Sequence, residues 1–287
     1  MTLTAAATTE FTNKTYVVTG GFSGIGLAIV QKLLSHGATV HALDLAKDVP
    51  EIKDRSAYEE SKQFFAYPGV DVSSRAEVTK VFQDEILSRA PVLDGIVNSA
   101  GIAPLPTGEN TPIETDERFL RVLNVNLNGT WNTATEYLRH FLQRESNGTG
   151  TTTGTASEGV SASLSASKVP EGVGNVVNIA STASMHAYPG MAAYCASKHA
   201  VLGLTRSWAK SFGPRGVRVN CVAPGGTDTA ISGAIDDDMQ AAYTSMVPLG
   251  RLARPDEVAD AVLFLLGPRS SFINGQMVPV EGGMSSF

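Results

Sequence analysis

The chain has 287 residues, of which 43% are hydrophobic and 17% charged, and its formal net charge is −6. These values predict one globular domain with a large core, and they indicate no basic surface for nucleic acid or an anionic membrane. The only cysteines, Cys195 and Cys221, are too few for a disulfide framework or a zinc cluster, and the N-terminal segment lacks the features of a signal peptide. We therefore expect a cytoplasmic protein without a metal site, whose residues 1–12 form a flexible arm.

The first predicted elements are a strand, a glycine-rich turn and a helix. The apolar run at 15–19 is followed by "TGGFSGIG" and then by apolar residues at helical spacing as far as Gly37. Several glycines at a strand-to-helix turn allow a ligand to approach the backbone, and the N-terminus of the helix favours a phosphate group. The turn therefore predicts a dinucleotide site that includes Gly20, Ser23, Gly24, Ile25 and Gly26.

The second predicted strand, 38–43, leads directly to an acidic residue, Asp44. A carboxylate at this position accepts hydrogen bonds from the adenosine ribose of NAD and repels the 2′-phosphate of NADP. Lys47 is the only basic residue close to Asp44, and no arginine flanks it or the glycine turn. The sequence therefore favours NAD as the cofactor.

The remaining elements continue an alternation of strands and helices that is typical of a parallel sheet covered on both faces. Further strands are predicted at 64–70, 94–98, 175–180, 217–222 and 277–280, and helices at 24–36, 74–89, 115–143, 191–212 and 255–266. The expected fold is a Rossmann-type, doubly wound α/β sheet of about seven strands in three layers, forming a single domain over 13–287. The segment 146–174 is rich in Ser, Thr, Gly and Ala and has no aromatic residue, so we expect a disordered surface insertion.

The residues with the strongest chemical signal follow the fifth strand. Tyr194 and Lys198 are four residues apart and share one face of a predicted helix, where an ammonium group would lower the pKa of the phenol. Ser181, at the end of the strand, would polarise a substrate oxygen beside them. Each of the three also has a purely structural interpretation, as a core aromatic residue, a solvated lysine or a helix N-cap.

These motifs resemble the short-chain dehydrogenase/reductase family, and the resemblance extends from residue 15 to residue 284. "TGGFSGIG" is similar to the family's TGxxxGxG turn, "YCASK" to its YxxxK pair, and "LNVNLNG" to the segment that supplies its asparagine. The resemblance implies a catalytic tetrad of Asn126, Ser181, Tyr194 and Lys198. It also implies that the tyrosine and the lysine contact the cofactor, together with Asp71, Val72, Asn98, Ala100, Gly101, Pro224, Gly225, Thr227 and Thr229.

Two positions depart from the family pattern. The family's NNAG is "NSAG" here, so Asn98 is retained while Ser99 replaces an asparagine that supports the sheet. Thr227 stands where a branched apolar residue is usual, whereas Thr229 keeps the family's threonine beside the carboxamide. Neither departure removes a group that performs chemistry.

The resemblance also implies a mechanism and an assembly. Tyr194 would take a proton from a substrate hydroxyl while hydride passes to the nicotinamide of NAD. Ser181 would hold the substrate oxygen, Lys198 would tune the phenol and bind the ribose, and Asn126 would anchor a relay water. The C-terminal sequence is similar to that of the family's tetrameric members, so we expect a homotetramer, or otherwise a homodimer.

The substrate-binding lid is expected near 226–250. The stretch 219–250 contains no Lys or Arg and includes three consecutive aspartates at 236–238. Because an anionic substrate normally pairs with a cation, the sequence favours a neutral, lipophilic secondary alcohol, such as a polyketide, terpenoid or steroid. Two alternatives stay open: an NAD(P)-dependent ketoreductase of fatty-acid or polyketide synthesis, and a binding protein that senses NAD without turnover.

Overall fold

The computed structural model describes residues 10–103, 113–146, 174–229 and 237–285. Seven parallel strands form one sheet in the order β3-β2-β1-β4-β5-β6-β7. Their bounds are β1 Thr15–Thr19, β2 Thr39–Asp44, β3 Phe64–Pro68, β4 Gly95–Asn98, β5 Gly174–Ile179, β6 Val217–Pro224 and β7 Met277–Val280. The strand order reverses between β1 and β4, which confirms the predicted Rossmann-type sheet.

Helices cover both faces of this sheet. Their bounds are α1 Gly24–Ser35, α2 Arg55–Glu60, α3 Arg75–Lys80, α4 Leu87–Arg89, α5 Asp116–Leu123, α6 Gly129–Ser146, α7 Ala192–Phe212, α8 Asp237–Ser245 and α9 Pro255–Leu266. The sequence analysis missed α2 and α8, and it treated as continuous two segments that contain π-helical turns, at Val81–Ile86 and Asn124–Asn128. A π-helical turn adds one residue to the helical repeat, and a periodicity argument does not detect this addition.

Each face of the sheet has its own hydrophobic core. On one face, Val18 and Val40 pack under α1 and α9. On the other face, Val17 and Ile96 pack under α3, α6 and α7. Successive residues of a strand point to opposite faces, so strands that are covered on both faces are mainly apolar. Most of the predicted site residues lie at or beyond the strand ends.

Phe11 extends the packed region beyond the predicted start of the domain. Its side chain is 2% exposed, and its ring lies edge-on to Tyr16 with the centroids 5.8 Å apart. The sequence analysis placed this residue in the flexible arm, but the packed chain begins before residue 13.

Several predicted segments lie outside the described residues. These are residues 1–9 of the arm, 147–173 of the insertion and 230–236 of the lid. The outermost residues of the predicted insertion belong to regular elements, since Ser146 ends α6 and Gly174 begins β5. Within the described ranges, no helix combines the length and the apolar character that crossing a membrane requires.

Gly26 allows α1 to begin directly against the glycine turn. A Cβ atom at this position would lie 1.9 Å from the carbonyl oxygen of Gly20, which is far inside any contact distance. Gly203, on the exposed side of α7, has no atom within 4 Å of the corresponding point. Two helical glycines of the same chain therefore differ completely in the space around them.

We predict that Gly26→Ala strongly destabilises the protein, because the turn or the helix must move to admit the methyl group. Gly203→Ala is the matched control and should raise the free energy of unfolding by about 0.5–1 kcal/mol, the difference in helix propensity. Urea unfolding followed by circular dichroism measures both changes. A Gly26→Ala variant as stable as the parent would contradict the close approach of α1 to the turn.

Candidate active site

The predicted site residues come together at the carboxyl ends of the parallel strands. The glycine turn follows β1, Asp44 ends β2, Asn98 ends β4, Ser181 lies just beyond β5, and Pro224 ends β6. In doubly wound sheets, ligands bind at this edge, beside the point where the strand order reverses. The topology therefore places the predicted cofactor and catalytic residues on one rim of the sheet.

The glycine turn has the form of a phosphate cradle. Gly20 and Gly24 have positive φ angles of 64° and 51°, a conformation that side chains disfavour. Ser23 is the N-cap of α1 but makes no side-chain capping bond, so its hydroxyl does not occupy the first turn of the helix. The Ile25 side chain packs partly against the core, so a ligand at the turn would meet the main chain of this residue. The turn thus meets the requirements for binding a pyrophosphate group.

Thr19 joins the glycine turn to the loop after β4. Its hydroxyl oxygen accepts hydrogen bonds from the N–H groups of Ser99 and Ala100, each at 3.1 Å. A Cβ atom on Gly20 would lie 2.8 Å from the Cα of Ala100, so the two loops touch only because Gly20 has no side chain. This contact sets the width of the cleft between the turn and residues 98–101.

The Asp44 carboxylate has a fixed orientation beside the glycine turn. One oxygen accepts from the Phe22 N–H at 2.9 Å, and the other accepts from the Ala46 N–H at 2.9 Å. Each oxygen has a second lone pair that can accept from a ribose hydroxyl. The residue therefore fits the predicted role in recognising the adenosine ribose.

Asp71 and Val72 lie on the loop between β3 and α3. One carboxylate oxygen of Asp71 accepts from the Ser73 N–H at 2.8 Å. Val72 is 6% exposed, and its methyl group lies 2.8 Å from the point where a Cβ on Gly129 would stand. The start of α6 holds this loop in place, and contact of the two residues with an adenine ring stays a prediction.

The Asn98 side chain supports the sheet. Its Nδ2 donates to the Oδ1 of Asn178 at 2.8 Å, and its Oδ1 accepts from the Thr133 hydroxyl at 2.6 Å. Asn178 in turn donates to the Thr205 hydroxyl at 2.9 Å. The sequence analysis assigned sheet support to the asparagine that Ser99 replaces, but in this chain Asn98 has that role. A cofactor would therefore meet the main chain at residue 98.

Ser181 lies close enough to Tyr194 to influence its phenol. The Ser181 hydroxyl oxygen also accepts from the Ala183 N–H at 3.1 Å, so the residue caps a short 3₁₀ turn at Thr182–Ser184. The structural interpretation of Ser181 as an N-cap and its predicted contact with the tyrosine therefore hold together. Burial raises the pKa of the Tyr194 phenol, and the nearby Ser181 hydroxyl offsets part of that rise.

Lys198 lies one turn of α7 beyond Tyr194. Its side chain is 6% exposed, and its Nζ donates to the carbonyl oxygen of Ile179 at 2.9 Å. The same nitrogen lies 5.7 Å from the centroid of the Tyr194 ring. Burial lowers the pKa of the lysine to about 8. The sequence analysis expected the ammonium to lower the pKa of the phenol, but burial raises the pKa of Tyr194.

Asn126 lies in the π-helical turn between α5 and α6. Its Oδ1 accepts from the Ile102 N–H at 2.8 Å, and its Nδ2 donates to the Ile102 carbonyl and to the Ser197 hydroxyl, both at 3.0 Å. A Cβ atom on Gly101 would lie 3.2 Å from the Asn126 Oδ1 and 3.6 Å from the Lys198 Nζ. The asparagine and the lysine therefore converge on Gly101. A relay water held by Asn126 stays a prediction.

The loop after β6 closes the rim. Thr227 is 7% exposed and its hydroxyl donates to the Gly225 carbonyl at 3.3 Å, while the methyl group of Thr229 lies 3.3 Å from the point where a Cβ on Gly24 would stand. Thr229 thus lies directly beside the glycine turn. Pro224 is buried at the end of β6.

Two tyrosines and a glutamate form the wall beside Tyr194. The Tyr188 hydroxyl is 2.8 Å from the Thr182 hydroxyl, and the Tyr243 hydroxyl accepts from the Gly226 N–H. The Glu281 charge raises the pKa of both phenols, in addition to the effect of their burial. The sequence analysis did not identify Glu281, which lies far along the chain from Tyr194.

Metal-ligating side chains do not cluster at this rim. Within residues 10–103, 113–146, 174–229 and 237–285, no group of three or more His, Cys, Asp or Glu side chains could hold a metal ion.

Comparisons with known proteins agree with this geometry. Family models match at residues 14–168, described as short chain dehydrogenase, and at residues 160–285, described as Enoyl-(Acyl carrier protein) reductase. The chain is 30% identical over 274 residues to the 3-oxoacyl-acyl-carrier-protein reductase FabG of Chlamydia trachomatis, covering 95% of this chain and 98% of that protein.

Two solved structures are similar over nearly the whole chain. The first is a 3-ketoacyl-(acyl-carrier-protein) reductase from Brucella melitensis complexed with NADH, with a TM-score of 0.77, 26% identity and coverage of 96% of this chain and 99% of that chain. The second is a gluconate 5-dehydrogenase from Burkholderia cenocepacia in complex with NADP and tartrate, with a TM-score of 0.78, 27% identity and coverage of 97% of both chains.

The fold and the site together define an oxidoreductase that uses a nicotinamide dinucleotide and acts on carbonyl or hydroxyl groups. The chain belongs to the short-chain dehydrogenase family.

The buried Lys198 predicts a specific pH dependence of stability. Its pKa is about 8 in the folded protein and near 10.5 when exposed, so the folded state binds fewer protons between these values and stability rises with pH across that window. At 1.36 kcal/mol per pKa unit, the buried ammonium destabilises the fold below pH 8 by about 3 kcal/mol. Lys198→Met removes this dependence.

Lys198→Met should therefore have a higher free energy of unfolding relative to the parent at pH 7 than at pH 10, because the buried ammonium destabilises the parent at the lower pH. Urea unfolding of both proteins at the two pH values measures the difference, and effects of all other titrating groups cancel in it. A difference that is the same at both pH values would show that Lys198 is not perturbed by burial.

Proposed function

We propose that the protein interconverts a ketone and a secondary alcohol with NAD(H), and that Tyr194 exchanges the proton with the substrate oxygen. The observation that carries this proposal is the arrangement of three side chains: the Lys198 amine is buried 5.7 Å from the centroid of the Tyr194 ring, and Ser181 lies close enough to influence the phenol. A protein that only sensed the dinucleotide would not need a proton donor at this position, so we rank the non-catalytic alternative last.

The chain's own residues control the oxygen and the proton. When bound, the nicotinamide supplies or accepts the hydride. Ser181 would hold the substrate oxygen beside the Tyr194 hydroxyl, which donates its proton to a ketone or takes one from an alcohol. The raised pKa of Tyr194 keeps the phenol protonated at neutral pH in the free protein, and a protonated phenol is the acid that ketone reduction needs.

Lys198 has donors left for the cofactor. An ammonium group has three N–H donors, and within the described part of the chain Lys198 Nζ makes one hydrogen bond, to the Ile179 carbonyl. Gly101 leaves the space between this amine and Asn126 without a side chain. We propose that the remaining donors of Lys198 bind a ribose hydroxyl and a water held by Asn126.

We propose NAD rather than NADP as the cofactor. The two N–H groups that bind the Asp44 carboxylate hold it next to the glycine turn, where its charge would oppose a 2′-phosphate. The similar structures include one complex with NADH and one with NADP, so the preference depends on this chain's own residues. Asp44 is the residue that supports NAD.

For the substrate, we propose a 3-oxoacyl thioester as the first candidate. The names of the Chlamydia relative and the Brucella structure include this chemistry, and the protonated Tyr194 suits reduction of its ketone. A neutral, lipophilic secondary alcohol is the second candidate, because residues 219–250 contain no Lys or Arg and Glu281 adds a negative charge to the pocket wall. Reduction of acetoacetyl-CoA and of its neutral N-acetylcysteamine analogue, beside oxidation of neutral secondary alcohols, separates the two candidates.

Tyr194→Phe should lower kcat for the best substrate of that panel by about 10²–10⁴-fold, because the ring still packs and only the proton donor is lost. Binding of NADH, followed by its fluorescence, should stay close to that of the parent. The matched control is Tyr58→Phe, in α2. Tyr58 packs against the core that contains Val18 and Val40, and the variant should keep full turnover. The mechanism is wrong if Tyr194→Phe turns over at the parent rate.

Asp44→Asn keeps the size of the side chain and removes its charge. The ratio of NADP to NAD dissociation constants should fall by about tenfold or more, which corresponds to about 1.4 kcal/mol, because the repulsion of the 2′-phosphate is lost. Asp48→Asn, an exposed change a few residues further on, should leave the ratio unchanged. Equal affinity of the parent for both cofactors would refute the assignment.

We also propose a homotetramer in the cytoplasm. Phe119, Leu120 and Trp131 are exposed by 42%, 56% and 45% on α5 and α6, and Trp131 lies 5.8 Å from the ring of Trp208 on α7. Such an apolar surface on two neighbouring helices suits a twofold interface.

Light scattering at micromolar concentration should report about four times the chain mass of 30.1 kDa. The double change Phe119→Arg and Trp131→Arg should reduce that mass, whereas Val92→Arg, at an exposed apolar residue elsewhere on the surface, should not. A parent that scatters as a monomer would end the proposal.

A further inference from the structure

A second cavity lies at the end of the sheet opposite the active site. It has a volume of about 540 Å³ and opens beside the first residues of β1 and β2, on the face covered by α3 and α4. The residues that matter in its lining are Thr15, Thr39, His41, Lys62, Phe65 and Arg89. No carboxylate lines it in the described part of the chain. All of its polar side chains can donate hydrogen bonds, and two of them carry positive charge.

His41 brings an unsatisfied ring nitrogen to this cavity. The residue is fully buried in the middle of β2, and its Nδ1 lies 2.8 Å from the Tyr67 hydroxyl. Arg89 donates to the same hydroxyl oxygen at 3.3 Å. In the tautomer in which the Tyr67 hydroxyl donates to His41 Nδ1, the imidazole proton is on Nε2. That Nε2 is buried and has no partner among the described residues.

The orphan nitrogen is an energetic cost that the fold does not relieve by itself. A buried donor without an acceptor destabilises a protein by about 1–3 kcal/mol. Burial and the nearby Arg89 lower the pKa of His41 to about 4, so the ring stays neutral at pH 7. An acceptor atom from outside the chain would complete its hydrogen bonding.

Lys62 has a backbone conformation that favours glycine. It follows the end of α2 with φ of 57°, and the bonds from Lys62 N–H to the Glu59 carbonyl and from Gln63 N–H to the Tyr58 carbonyl form a Schellman ending. Glycine is usual at this position, and a lysine there costs about 1 kcal/mol. The chain accepts this strain at a residue whose side chain lines the cavity.

Arg89 provides the second cation. Its guanidinium lies 5.7 Å from the Phe65 ring centroid and 5.8 Å from that of Tyr67, which holds it over the cavity wall. Glu85, one turn earlier, is 3.6 Å away, and both side chains are nearly half exposed, so this pair is weak. Asp94, the acidic residue nearest to Thr15, is paired with Lys14 at 2.9 Å.

We propose that this cavity binds a small oxyanion, the phosphate or carboxylate group of a metabolite, between the charges of Lys62 and Arg89 and with the Nε2–H of His41 as the inner donor. The site is separate from the cofactor site, since the oxyanion would lie at the amino ends of the strands and the dinucleotide at their carboxyl ends. The proposal does not depend on the reaction that the enzyme catalyses.

The test uses the ¹⁵N-labelled full chain, inorganic phosphate and malonate as probes, and sodium chloride to keep the ionic strength constant. The histidine-ring NMR signals of the five histidines report the binding, and the His41→Gln variant assigns the His41 signal. Phosphate or malonate should shift the His41 Nε2 signal in a saturable manner. The probe that saturates at the lower concentration identifies the class of oxyanion.

Two variants and one control make the result specific. Lys62→Gly and Arg89→Gln should each weaken the binding by about tenfold or more, because each removes one charge-assisted contact. Lys62→Gly should at the same time raise Tm in the absence of both probes, because it relieves the strained backbone, so a loss of binding cannot be ascribed to unfolding. Lys80→Gln, an exposed change on α3, should leave the affinity unchanged.

The proposal is overturned if neither probe shifts the His41 signal beyond the effect of sodium chloride. It is equally overturned if Lys62→Gly binds the probe as tightly as the parent, or if Lys80→Gln weakens binding as much as Lys62→Gly does.

Discussion

No side chain fits between the start of α1 and the carbonyl oxygen of Gly20, and the cofactor half of the molecule depends on that constraint. Because Gly26 has no Cβ, the first turn of α1 directs its N–H groups at the rim where the strand order reverses. The same turn presents the Phe22 N–H to Asp44, which fixes the carboxylate at the tip of β2. A helix displaced by one methyl group would lose both features together, so the phosphate cradle and the ribose-binding residue form one geometric unit.

The sequence predicts the strands well, because each central strand is buried on both faces and is read as a short apolar run. The bounds of β1 and β7 are as predicted, and the others differ by one or two residues at an end. Helices that owe little to burial are harder to predict. α2 buries no residue of its own, and α8 lies within the predicted lid, for which the sequence analysis gave no helix. The π-helical turn at Asn124–Asn128 is not visible in the apolar pattern, although it is what directs Asn126 towards Ile102.

The types and spacing of the site residues are visible in the sequence, whereas their partners are not. Tyr194 and Lys198 stand out because two chemically distinct side chains share one helix face. Their main-chain partners have no sequence signal, and the carbonyl of Ile179 that holds the lysine is an example. The direction of the Tyr194 pKa shift depends on how deeply the phenol is buried, which follows from tertiary packing. For the same reason the role of Asn98 could be recognised only once its neighbours on β5 and α6 were known.

The buried chain of hydrogen bonds from Thr133 through Asn98 and Asn178 to Thr205 crosses the sheet at right angles to its strands and ends on α6 and α7. Of the four residues implied in proton transfer, α7 carries Tyr194 and Lys198, and the π-helical turn before α6 carries Asn126. The bridge makes the two helices one cooperative unit in local opening reactions, since neither helix can separate from the sheet without exposing all four polar groups. In native-state hydrogen exchange, the amides of this unit will exchange late and together, while those of the peripheral α2, which shares none of these bonds, will exchange early.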